Sequence, residues 1–138
     1  MFYFPLIPRL QRLYVSRNTA EHIRWHYNNR REDGVLCHPS DREAWKHFGC
    51  KYPDFASEPH NVRFGLCADG FSSFSQSGLS YSIWPVVVAL YNLPPDMCMT
   101  TPCMFLTCII PGPSNPKNKI GVYLQPLIDK LRTLWDGV

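Results

Sequence analysis

The feature that most constrains this chain is a change of hydrophobic period at Val62. Before it, apolar residues recur at helical spacing. From Val62 onward they alternate: Val62, Phe64, Leu66 and Ala68 fall on one face, and Arg63, Gly65, Cys67 and Asp69 on the other. One chain of 138 residues therefore has to pack short helices with a sheet, which makes it an α+β or α/β chain of single-domain size, long enough to bury a core. Thirteen prolines, clustered in "NLPPDM" and "IIPGPSNP", keep the elements short and the connections stiff.

On the helical side, "PRLQRLYVS" spaces Leu10, Leu13 and Tyr14 for one face, with Pro8 in a first turn. "TAEHIRWHYNNR" repeats the pattern through Ala20, Ile23 and Tyr27 and gives a second helix. A third is expected to start at Ser40, whose spacing to Glu43 suits a capping box ahead of Trp45 and Phe48. On the sheet side, a polar loop "SSFSQSGLS" follows Asp69. The β-rich runs "YSIWPVVVALY" and "CMFLTCII" then predict a second and a third strand. Three such strands suit an antiparallel meander. "IGVYLQPLIDKLRTLW" predicts a closing helix facing inward through Leu124, Ile128, Leu131 and Trp135, with Pro126 in its first turn or bending it.

Charge is uneven. Residues 1–51 hold nine Lys/Arg against five Asp/Glu, and residues 52–138 hold five against six. The expected division is thus a basic helical segment, 1–51, and a sheet-bearing segment, 52–138. Arg9, Arg12, Arg17, Arg24, Arg30 and Arg31 make nucleic-acid phosphate a reasonable partner of the first, with a solvated helix surface as the alternative. No apolar run approaches the roughly 20 residues of a membrane helix, and the start "MFYFPLIPRLQRLYV" has no basic region ahead of its apolar residues. A nuclear or cytoplasmic protein with no membrane contact is expected. The six cysteines lack close pairing and read mainly as buried thiols.

Chemistry has few candidates. His22 and His26 share a helical face at metal-ligand spacing, but without the glutamate of a metalloprotease, and aromatic packing of His26 competes as an explanation. Hydrolase and phosphate-loop signatures are missing. Asp69 ends the first strand next to the small residues Gly65 and Cys67, which would leave room for a hard cation. A lone carboxylate is a poor metal site, however, and on spacing alone the reading favoured is Asp69-Gly70 as a turn that ends the strand.

The segments "FPLIPRLQRLYVSRNTAEHIRWHYNNRREDGVLCHPSDREAWKHF", "YPDFASEPHNVRFGLCADGF", "YSIWPVVVALYNLPPDMCM", "IIPGPSNP" and "VYLQPLIDKLRTLWDGV" closely resemble the transposases of plant CACTA (En/Spm-type) DNA transposons. The resemblance covers nearly the whole chain. It implies the opening of an RNase H-like core of the DDE class: short N-terminal helices, three antiparallel strands and the first helix. In that class three acids hold Mg²⁺ or Mn²⁺ for cleavage and transfer of transposon-end DNA. By this resemblance Asp69 is the first of the three acids and a metal ligand, and the other two are expected beyond Val138. A chain holding one acid of three is expected to be an incomplete core that cannot cut DNA alone, and that could associate with a full-length transposase.

Overall fold

The computed structural model describes residues 1–31, 33–72, 81–113 and 115–137. Most of the polar loop expected after Asp69 lies outside the described residues. The elements run β1 (Phe2–Tyr3), α1 (Ile7–Val15), α2 (Arg17–Ala20), α3 (Trp25–Asn28), a 3₁₀ turn (Pro39–Asp41), α4 (Glu43–Lys51) and α5 (Pro53–Ser57). They continue with β2 (Phe64–Ala68), β3 (Phe71–Ser72), β4 (Ser82–Leu90), α6 (Pro95–Cys98), β5 (Met104–Pro111), a second 3₁₀ turn (Lys117–Lys119) and α7 (Ile120–Asp136). The mixed α+β class is as expected. The strands form one antiparallel sheet in the order β1-β5-β4-β2, with β3 also paired to β4.

The chain divides into two compact units. Unit 1 comprises Met1–Gln11, Leu66–Val88 and Phe105–Val138; unit 2 comprises Arg12–Gly65 and Ala89–Met104. Neither unit begins or ends at residue 51. In unit 1 the core is Leu6, Leu10, Val86, Val88, Phe105, Cys108, Ile110 and Leu127, all at most 5% exposed. Fully buried Thr107 stays satisfied because its hydroxyl donates to the Val86 carbonyl at 3.0 Å.

Strand β1 is an addition that alternation alone did not signal. Its two residues pair antiparallel with β5, Phe2 opposite Ile109 and Tyr3 opposite Cys108. Arg9 fastens this strap: its guanidinium donates to the carbonyls of Phe4, Pro5 and Leu106, each at 2.8 Å, and lies 5.4 Å from the Phe105 ring centre. Three charge-assisted bonds thus satisfy carbonyls that so short a strand leaves over. Strand β1 is thereby one edge strand of the sheet. The other edge is β2.

Three expectations need correction. The third helix starts at Glu43 with Arg42 as its unbonded cap, and the capping box sits one turn earlier, where His38 accepts from the Ser40 N–H and Asp41 accepts from the His38 N–H. A ring nitrogen replaced the expected serine hydroxyl. The closing helix α7 has Pro126 in its interior, the second of the two places expected, where it has no N–H for the carbonyl of the exposed Val122; its inward face is what differs. The helix buries Leu127, and Trp135 is 54% exposed, so the inward face is rotated from the one expected. Finally, the alternation in β2 does not bury its apolar face: Leu66 is 56% exposed, as befits an edge strand.

Candidate functional site

Asp69 stands in a break between β2 and β3, and the register explains the break. Phe71 lies opposite Ile83, and Tyr91 N–H donates to the Arg63 carbonyl at 2.9 Å, so both ends of the pairing keep one register. That register sets Asp69 across from Pro85. The bonded positions fall on every second residue, and Pro85 has no N–H to offer the Asp69 carbonyl. Pairing stops there and resumes at Phe71. Asp69 is exposed, like its alternate neighbours Cys67 and Phe71, while Ala68 and Gly70 are half-buried. Its Oδ1 accepts from the Gly70 N–H at 2.8 Å.

The two small neighbours have other uses. A Cβ on Gly65 would lie 2.1 Å from the Tyr91 ring, so the space read as room for a cation is filled by an aromatic. A Cβ on Gly70 would lie 2.4 Å from the Trp84 indole, and Gly70 does not take the positive φ that a turn glycine would need. The Asp-Gly pair is therefore not a hairpin turn. Gly70 is small because Trp84 lies across it.

The donor set decides what Asp69 could hold. A hard cation takes six or more oxygens, several from carboxylates. Among the described residues no group of three His, Cys, Asp or Glu could hold a metal ion. Asp129, on α7, accepts from Gln125 Nε2 at 2.8 Å and pairs loosely with Arg132. These residues by themselves do not fit a bound divalent cation.

Unit 2 carries a second cluster, which sequence patterns missed. Asn92 has no exposed surface. Its Oδ1 accepts from Arg63 N–H at 2.8 Å, its Nδ2 donates to the Asn61 carbonyl at 2.9 Å, and its own carbonyl accepts from the backbone N–H and Nδ1 of His26. Next in sequence, the Leu93 carbonyl accepts from His38 Nε2 at 3.0 Å and from the Cys98 thiol at 2.9 Å. Because His38 Nδ1 accepts from Ser40 N–H, the ring is a neutral Nε2–H tautomer. His26 is thus bonded and buried, with its ring 5.3 Å from that of Trp45, whereas His22 is exposed. Cys98, Cys103 and Cys108 are buried as expected, and burial pushes the Cys98 thiol up to about 11. Cys37, Cys50 and Cys67 are exposed, contrary to expectation.

Burial lowers the pKa of both His26 and His38 below the ordinary 6.5. Above that value both states of the chain hold these rings neutral. Below it the unfolded chain takes up protons first, so stability is lost as pH falls through about 6.5 toward the folded pKa values. Thermal melts are expected to fall by several degrees between pH 7.5 and pH 5, with a smaller fall in His38→Gln.

The arginines divide into two sets. Arg9 is committed to the strap and Arg31 to Asp33 through its Nε at 3.1 Å. Arg12, Arg17, Arg24 and Arg30 are exposed and form no ion pair among the described residues. Among those residues, no helix is long and apolar enough to cross a membrane.

The described residues thus form a mixed α+β chain with an antiparallel sheet, an acid at a strand break, and exposed arginines without ion pairs among those residues. Residues 33–138 match the transposase family tnp2, and the chain belongs to that family. No curated protein and no solved structure matches it.

Proposed function

We propose that this chain is the opening part of an RNase H-like, DDE-type core from a plant CACTA (En/Spm-type) transposase, with Asp69 as the first metal-binding acid, and that alone it does not cut DNA. The observation that carries this reading is Asp69 itself: an exposed carboxylate at an interrupted strand, bonded among the described residues only to the next N–H, in a chain of a transposase family. The outer edge of β2–β3, unpaired among the described residues, is the surface a further strand would cover. The remaining acids would come with that strand and beyond. Two-metal phosphoryl transfer needs several carboxylates from different elements, and Asp69 supplies one.

Incubated with Mg²⁺ or Mn²⁺, the purified chain is expected to leave transposon-end DNA intact. Metal-dependent cleavage lost in Asp69→Asn would overturn the inactivity. Asp69→Asn should shift stability by no more than about 0.5 kcal/mol, as for a surface position. A larger loss would make Asp69 a structural residue and sink its assignment to chemistry.

A second reading is a DNA- or protein-interaction module using the basic N-terminal third; its DNA form draws support from Arg12, Arg17, Arg24 and Arg30, whose charges are not neutralised by ion pairs among the described residues. Binding to a DNA duplex would then weaken steeply with salt. Absence of binding even at low salt would remove this reading.

A further inference from the structure

We infer that a cleft in unit 2, walled by Arg30, Trp45, Lys46, Gly49 and Arg63, is a phosphate-binding site for the nucleic-acid backbone. The inference rests on the DNA-interaction reading for its ligand, though not for its chemistry.

Four cations, Arg30, Arg31, Lys46 and Arg63, line this cleft against one carboxylate, Asp41. Asp41 is already engaged, since its Oδ2 accepts the N–H groups of Cys37 and His38. Arg31 and Lys46 have surface partners in Asp33 and Glu43. Arg63 has none: it is half-buried, donates one Nη1 bond to the Trp45 carbonyl at 3.0 Å, and forms no ion pair among the described residues. Its guanidinium lies 4.1 Å from the Trp45 ring centre and 4.8 Å from that of Phe48, which hold the fork in place.

Such a cation is costly where it stands. Burial lowers its pKa, and the nearby Arg30 lowers it further. Arg30 in turn sits 5.6 Å over Tyr27. Two arginines that repel each other, both positioned by aromatic rings and neither ion-paired among the described residues, are what the negative charge of a backbone phosphodiester would satisfy. Arg63 Nη2 approaches the side-chain space that Gly49 leaves open, at 3.8 Å from where a Cβ would be. Trp45, 9% exposed, also lines the cleft, and its indole N–H is buried without an acceptor among the described residues.

The test uses the full chain. Labelled duplex DNA is titrated by anisotropy across a salt series. Arg30→Gln/Lys46→Gln is expected to weaken binding about tenfold or more and to lower the salt slope by about two, as two lost phosphate contacts require. Gly49→Glu, whose first carbon meets only ordinary contacts, should do the same by placing a carboxylate beside Arg63. The charge-matched control Lys130→Gln/Arg132→Gln on α7 should leave the slope unchanged. A second arm titrates pyrophosphate and follows the backbone amides of Gly49 and Arg63 by NMR. Saturable shifts of both, lost in Gly49→Glu, are expected. If the cleft variants bind DNA like the control, or the amides do not move, the cleft is overturned while any DNA binding stands. If the amides respond but no DNA binds, the DNA reading fails and the phosphate site remains.

Discussion

Replacing Asn92 with alanine is expected to destabilise the chain by about 2–5 kcal/mol, because two part-buried backbone groups lose the side-chain partner they have among the described residues. The amide of Asn92 is a junction. Its oxygen takes the Arg63 N–H, which sits one residue before β2, and its nitrogen serves the Asn61 carbonyl. Alanine removes both bonds, and each orphaned buried group costs roughly 1–3 kcal/mol. Against a total stability of roughly 5–15 kcal/mol this is a large fraction. Asn92→Asp should cost as much, since a carboxylate keeps the acceptor toward Arg63 and opposes the Asn61 carbonyl with a buried negative charge. Denaturant unfolding at pH 7.5 measures both. A loss below about 1 kcal/mol for alanine would show that water replaces the amide and that the junction is not what orders this unit.

How much of this was legible in the sequence depends on which forces acted. The strands around Val86–Leu90 and Phe105–Ile110 were legible because β-branched and aromatic runs ending in proline leave few alternatives. The helix over Ile7–Val15 was legible from its spacing and from Pro8. Strand β1 was not, because two residues carry no period. Its pairing with β5 is reinforced by Arg9, which binds three carbonyls. The capping box at His38 was missed because a histidine ring stood in for a hydroxyl. Asp69 was legible as a position by resemblance. Its surroundings were not, because they depend on which residue of β4 lies opposite. Pro85 was visible in the sequence, but its effect appears only when the register places it across from Asp69.

That register leads to the sharpest test of the Asp69 segment. Gly70→Ala is expected to cost about 1–3 kcal/mol although its backbone is of an ordinary kind, because the added carbon meets Trp84 at 2.4 Å from one ring atom and 2.5 Å from the next. The indole cannot give way freely: its N–H is buried without an acceptor among the described residues, so the ring is enclosed at that end. Either the ring leaves its rotamer or the backbone at Gly70 retreats from β4. In the second case the Gly70 N–H that holds Asp69 Oδ1 moves with it. Were Gly70 a turn glycine, shortening the ring would not help. Because it is a steric glycine, Trp84→Leu should rescue Gly70→Ala, and a double-mutant cycle should return a coupling of at least about 1 kcal/mol. Additive losses would mean that the chain needs Gly70 for its backbone after all, and would return Asp69-Gly70 to the turn that its sequence first suggested.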